Sequence, residues 1–291
     1  MNYSNDYNNL VSPHFAINKV FSKELSVYGA YSRGYKAPVS SYFFVAVSPT
    51  SSFVNQDLKP EIGDQFEIGS KGSVFNDKLA YQLAVFHATF SDKMTAVAVP
   101  LNPPAVGTAY TYVANGGKHD DKGVELLLKY TAFESNNGAF RSIRPFANVT
   151  YSHFRYEDYK MERLKSPATS DTTIDYSGNP VAGVAPWMAN IGVDINAAAG
   201  IYANVIYSFK DEMPFTSDNV NIAASYSLLN AKLGIRRSLS PRFDLDAFVG
   251  ANNITNTQYP YMVFINQLPD AYLPAPYKVN YFGGVNLKFN F

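Results

Sequence analysis

Cysteine is absent from the 291 residues. That excludes a disulfide scaffold, a zinc–thiolate site and a cysteine nucleophile. It does not exclude an oxidising compartment, which only permits disulfides. Charge is scarce: Asp, Glu, Lys and Arg make up 16% of the chain, against a usual value of about 25%. The 24 basic residues balance the 24 acidic ones. Zero net charge argues against nucleic acid as a partner, because phosphate binding needs a clustered basic excess. No run of 18 apolar residues occurs, so no helical membrane span is predicted. Tryptophan occurs once, yet 22 Tyr and 21 Phe raise aromatics to 15%. At 46% hydrophobic the chain is not disordered. Long, aromatic-rich, charge-poor and with little helical periodicity, it fits a membrane β-barrel better than a cytoplasmic enzyme.

The dominant signal is alternation with period two, the mark of strands with two unlike faces. Phe243, Leu245, Ala247, Val249 and Ala251 alternate with Asp244, Asp246, Phe248, Gly250 and Asn252. Residues 186–196, 200–210 and 284–291 repeat the pattern. It predicts eleven strands, near 12–21, 24–34, 62–74, 78–98, 108–133, 142–157, 182–197, 200–212, 223–238, 241–255 and 277–291. Short turn-like connections alternate with long ones at 35–61, 99–107, 158–181, 213–222 and 256–276. Tight joints at one end and loose joints at the other define an up-and-down antiparallel meander, the pattern of outer-membrane barrels. A soluble sandwich or propeller is the competing reading; its strands would be shorter and its second face less polar. Phe243, Leu245, Val249, Ile191, Val193 and Val205 are expected together on the outer, convex, lipid-facing side. The charges Lys232, Arg236, Asp244, Asp246 and Lys288 are expected on the lumenal side.

Eleven is an odd number, and bacterial barrels have an even one. An open sheet would leave two edges in lipid, which is not viable. The expectation is a piece of a larger barrel, with the first and last strands unpaired to each other. A miscounted strand would instead allow a closed barrel of ten or twelve. Met1 to Asp6 lacks the basic and apolar regions of a signal peptide, which also suits a piece of a longer chain.

Several segments resemble TonB-dependent outer-membrane receptors. They are Tyr31-Ser32-Arg33-Gly34-Tyr35-Lys36-Ala37-Pro38, Leu58-Lys59-Pro60-Glu61, Phe66-Glu67-Ile68-Gly69-Ser70-Lys71-Gly72, Asn115 to Leu126, Asn252-Asn253-Ile254-Thr255-Asn256 with Tyr259, and the terminal Phe291. Their order and spacing over 12–291 carry the likeness. It implies that residues 1–291 are the C-terminal half of a roughly 22-stranded barrel, without the plug and the N-terminal half of the wall. It further implies ferric-siderophore uptake energised through TonB, by way of the missing N-terminal part. Other implied partners are outer-membrane lipid and the barrel-assembly machinery, which would read Phe289 and Phe291. A passive porin-like channel is the alternative; a barrel enzyme is a weaker one.

No catalytic residue, cofactor or metal is predicted. His14, His87, His119 and His153 are scattered without ligand spacing. His119-Asp120-Asp121 is the nearest approach to a cation loop, and His153 with Asp158 the nearest to a catalytic pair. Arg33 and Lys36 stand where a strand leaves the membrane, within reach of headgroup phosphates or ligand. Glu61, Glu67 and Glu125 are expected to pair with lumenal cations. Ligand specificity is expected in the long loops. The candidate contacts are Arg33, Tyr35, Tyr42, Phe43, Phe44, Tyr156, Tyr159, Tyr259, Tyr261 and Phe264, since aromatics at a binding mouth meet flat or apolar ligand groups. Loop self-packing is the other use of such residues. Lys160, Arg163 and Lys165 add positive charge.

Overall fold

The computed structural model describes residues 5–8, 10–100, 108–162, 173–267, 271–276 and 278–290. One antiparallel sheet dominates, with eleven strands paired in sequence order. They are β1 (His14–Val20), β2 (Ser26–Lys36), β3 (Glu61–Val74), β4 (Leu79–Ser91), β5 (Lys118–Tyr130), β6 (Phe140–Asp158), β7 (Trp187–Ala197), β8 (Ile201–Lys210), β9 (Tyr226–Ser240), β10 (Phe243–Asn252) and β11 (Asn280–Phe289). Among the described residues β1 and β11 do not pair, so the sheet is open. The strand count and the unpaired edges agree with the reading of the sequence.

The register sorts every strand into two faces. Val193 opposes Val205, Leu233 opposes Val249 and Ala247 opposes Val285 on one face. Asp194 opposes Asn204, Arg236 opposes Asp246 and Asp244 opposes Lys288 on the other. The six apolar residues expected together all share the first face. Among the described residues nothing covers that face: Val249 and Val285 are 64% and 71% exposed. Such a surface is stable only against hydrocarbon.

The polar face has its own packing device. Aromatic rings lie across glycines of the neighbouring strand: Tyr28 over Gly69, Phe86 over Gly123, Phe146 over Gly192, Tyr202 over Gly234 and Phe282 over Gly250. In each case ring and glycine are directly opposed in the ladder. A side chain at the glycine would occupy the ring's place, so these pairs hold the register.

Each long connection folds back as a hairpin of its own. Phe44–Ser48 pairs Ser51–Val54, Met94–Pro100 pairs Thr108–Asn115, and Lys160–Glu162 pairs Thr173–Asp175. Met213–Pro214 pairs Ile222–Ala223, and Pro260–Val263 pairs Tyr272–Pro274. This corrects the second long connection. The strands expected at 78–98 and 108–133 each break in two, at Ser91/Met94 and at Asn115/Lys118. The breaks use left-handed backbone, φ 54° at Asp92 and φ 75° at Gly117. Alternation continues through both breaks, because a hairpin that leaves the wall keeps period two.

Candidate ligand-binding mouth

The five hairpins stand at the same end of the sheet and are tied to one another. Asn266 is the central knot. Its amide donates to the Ala96 carbonyl at 3.0 Å, and its side-chain oxygen accepts the Ser217 N–H at 2.8 Å. Asn179 donates to the Ser217 carbonyl at 3.1 Å and Asn219 to the Pro180 carbonyl at 3.0 Å. Asn55 donates to the Val113 carbonyl at 2.8 Å, and Asn115 exchanges two bonds with the Lys59 backbone. Asparagine suits this work: it offers donor and acceptor together and tolerates left-handed backbone. Asn219 and Asn266 have φ of 57° and 56°.

Two small cores fill the mouth. Ala185, Met213, Phe215, Ala223 and Ala271 form one. Tyr156, Tyr159 and Val181 form the other, packed against Tyr176 and Val184. Tyr159 stacks on Tyr156 at 4.6 Å and on Tyr176 at 5.4 Å. The Tyr156 hydroxyl lies 3.1 Å from Ser217 Oγ and accepts the Ala182 N–H at 3.1 Å. Since Tyr156 projects from the polar face, the mouth closes over that face, which makes it the enclosed one. Burial pushes the Tyr112 phenol up, and the Ser177 donors hold the Asp175 carboxyl below its usual range.

Beneath this cap are buried groups with hydrogen-bonding capacity to spare. Both ring nitrogens of His119 and one oxygen of Asp121 have no partner among the described residues. Glu61 Oε2 has none beyond a 3.7 Å ion pair with Lys36. His119 meets Tyr156 edge-on at 4.8 Å. An orphaned buried polar group costs about 1–3 kcal/mol, so these positions suit a ligand or a further polar surface. Period two separates the His119-Asp120-Asp121 run: His119 and Asp121 face inward and Asp120 outward, so it forms no cation loop. His153 also faces outward and makes no pair with Asp158 among the described residues. Glu67 accepts a Tyr28 hydroxyl at 2.8 Å instead of pairing with a cation.

The ten candidate ligand contacts do not converge. Phe43, Tyr156 and Tyr159 are buried as loop core, because a loop long enough to hold a hairpin packs its own aromatics. Arg33 and Tyr35 lie on the apolar face; Arg33 is held by Asp64 at 2.8 and 3.0 Å. Lys36, by contrast, faces inward. Tyr259 packs on Tyr226 at 5.0 Å. Tyr42 and Phe264 are half-buried, while Phe44 and Tyr261 are exposed on the hairpins. Phe289 contacts Phe243 at 5.1 Å on the apolar face. Phe291, Arg163 and Lys165 lie outside the described residues. The sequence offers His119 and Asp121 only within the His119-Asp120-Asp121 run, not as an inward pair, and does not announce the asparagine knots. Alternation at 118–122 carried the first signal and Asn-rich loops the second.

A family model described as TonB dependent receptor-like, beta-barrel matches residues 1–254. The iron-regulated outer membrane virulence protein of Vibrio cholerae is 25% identical over 237 residues, covering 77% of this chain and 32% of that protein. The siderophore receptor PiuA from Acinetobacter baumannii superposes with a TM-score of 0.64 at 19% identity, over 96% of this chain and 35% of its own. The copper transporter OprC does so with a TM-score of 0.66 at 12% identity, over 96% and 40%. At these identities the two structures share the fold. The chain spans about a third of the length of its relatives.

Proposed function

We propose a function from one premise: this chain belongs to the TonB-dependent receptor-like β-barrel family, whose members are receptors and transporters of the bacterial outer membrane and not enzymes. The chain forms one half of the wall and the mouth of a ligand-gated importer. Its cargo is an iron–siderophore complex, captured at the mouth and passed inward by an energised step that depends on TonB. Contact with TonB belongs to parts of the whole protein beyond this segment. Phe289 and Phe291 serve as the signal for barrel assembly, since an aromatic strand end can add to a sheet edge.

The observation that carries this reading is the loop cap tied over the polar face, with the orphaned His119 and Asp121 beneath it. A passive pore needs an open mouth, whereas a receptor needs a built one. In this reading Phe44, Tyr42, Tyr261 and Phe264, exposed or half-buried on the hairpins, touch a ligand first. The buried Tyr156–Tyr159–Tyr176 stack supports them from below. The test is uptake of labelled ferric siderophores by iron-starved cells, with the gene intact, deleted, or intact in a strain without TonB. Uptake should fall to background in both altered strains. Unchanged uptake after deletion overturns the cargo, and uptake that persists without TonB overturns active import.

A further inference from the structure

A lipid-facing strand surface carries charge only where it leaves the hydrocarbon. On β6 the outward residues from Arg141 upward are Ile143, Pro145, Ala147, Val149 and Tyr151, then His153 and Arg155. Residues 142–152 therefore supply the span of about 9–11 residues that a tilted strand needs. His153 and Arg155 mark the upper boundary. The ladder carries that boundary across the sheet: Arg155 opposes Asp120, which opposes Thr89, then Asp64, then Arg33. One row below, His153 opposes Lys122, which opposes His87.

These groups form a fixed cationic shelf. Asp120 holds His87 Nε2 at 2.5 Å and Lys122 Nζ at 2.6 Å. Asp64 holds Arg33 through two bonds and accepts the Tyr31 hydroxyl at 2.7 Å. Arg155 is tethered by one nitrogen to the Gly178 carbonyl at 2.9 Å. His153 is exposed and has no hydrogen bond among the described residues. Directly below lies an open apolar groove of about 790 Å³, walled by Phe15, Ile17, Tyr31, Ile68, Val85 and Tyr151, with His87 and Lys122 on its rim. On β7 and just beyond β8 the outward residues at this end are Trp187 and Asp211, which supply no cation. The shelf is thus local to β2–β6.

We infer that this shelf and groove bind a phosphorylated outer-leaflet glycolipid, with an acyl chain against Ile68 and Val85 and a phosphate at Lys122, His153 and Arg155. Three permanent cations and two imidazoles face two carboxylates, so the shelf keeps a positive excess for an anionic headgroup. The groove rules out a purely ionic occupant, and the cations rule out a purely apolar one. The wall thereby holds one lipid in one place.

The test uses the intact receptor in non-ionic detergent, titrated with diphosphoryl lipid A or its dephosphorylated form and read by native mass spectrometry. Diphosphoryl lipid A should bind tightly and the dephosphorylated form weakly. Combining Lys122→Gln with His153→Gln should weaken the diphosphoryl form by about fivefold or more, since each cation beside an anionic surface contributes on that order. Lys122→Arg should retain binding, and Lys232→Gln on the polar face should change nothing. Equal binding of the two lipids overturns the proposal. So does unchanged affinity in the double variant, or displacement of the lipid by millimolar inorganic phosphate alone.

Discussion

A methyl group added at Gly123 tests whether the rings on the polar face hold the wall in register. The new Cβ would stand 2.3 Å from Phe86 Cζ, 2.6 Å from Phe86 Cε1 and 2.8 Å from the Tyr151 carbonyl oxygen. The ring can swing away, but the carbonyl belongs to the β5–β6 ladder and cannot move without stretching it. Overpacking of this kind costs about 1–3 kcal/mol. Leaving glycine in a strand interior returns roughly 0.5–1 kcal/mol. The net expectation for Gly123→Ala is a loss of about 1–2 kcal/mol. Gly34 provides the comparison, because nothing lies within 4 Å of a Cβ there. Gly34→Ala should be neutral or stabilising by up to about 1 kcal/mol. The assay is urea unfolding of the intact receptor in lipid vesicles, followed by the heat-dependent gel mobility of folded barrels. Adding Phe86→Leu to Gly123→Ala should restore part of the loss, since it removes the ring but not the carbonyl contact. Equal midpoints for Gly123→Ala and Gly34→Ala would refute the reasoning.

Tyr156→Phe removes the acceptor of the Ala182 N–H, and an orphaned buried donor costs about 1–3 kcal/mol. Limited proteolysis should then cut within 159–186 faster than in wild type, with the wall unaffected. Asn266→Ala unties three connections at once, so hydrogen exchange should speed up in both 92–117 and 211–225; acceleration confined to 253–279 would count against the knot. Trp187, the chain's one tryptophan, is 47% exposed and 4.7 Å from Tyr151 on the apolar face. Its fluorescence, isolated by comparison with Trp187→Phe, should be quenched more by lipids brominated near the headgroup than near the chain end. Lys23 and Asp77 join two turns at 3.0 Å. The hydrogen bond from Lys23 lowers the Asp77 pKa, so this attraction is present above the unfolded carboxyl range and fades as pH falls through the lowered folded value. Both groups are fully exposed, so Asp77→Asn should leave the urea midpoint unchanged at physiological salt.

The wall was legible because each of its strands has unlike faces, and a face shows in sequence as period two. Phe243 to Asn252 can be assigned to the two faces residue by residue from the sequence alone. The mouth was not legible, for two physical reasons. Hairpins such as Met94–Pro100 with Thr108–Asn115 keep the same alternation as the wall, so nothing in the pattern announces that the chain has left it. The contacts that then matter join residues far apart, as Asn266 joins Ala96, and no local signal encodes them. The sequence leaves each loop aromatic two uses, ligand contact or loop self-packing, and does not choose between them. Tyr156, Tyr159 and Phe43 take the second use and are buried, since the mouth needs a core of its own to stand above the membrane.

β5 shows how much rests on a single register. Its first residues place His119 and Asp121 under the cap, Asp120 and Lys122 at the lipid boundary, and Val124 and Leu126 in hydrocarbon. A slip of one residue would exchange all of these assignments, because side chains alternate with period two. Asp121, Gly123 and Glu125 would then face lipid, and Leu126 and Leu128 the polar interior. Backbone hydrogen bonds do not forbid the slip, since either register satisfies a ladder. What forbids it is the ring of Phe86, which fits over Gly123 and would meet a side chain at either neighbouring position. The ring–glycine pairs on the inner face therefore determine which charges reach the outer face. The cations on the outer face and the buried polar groups on the inner face depend on the same cross-strand contact.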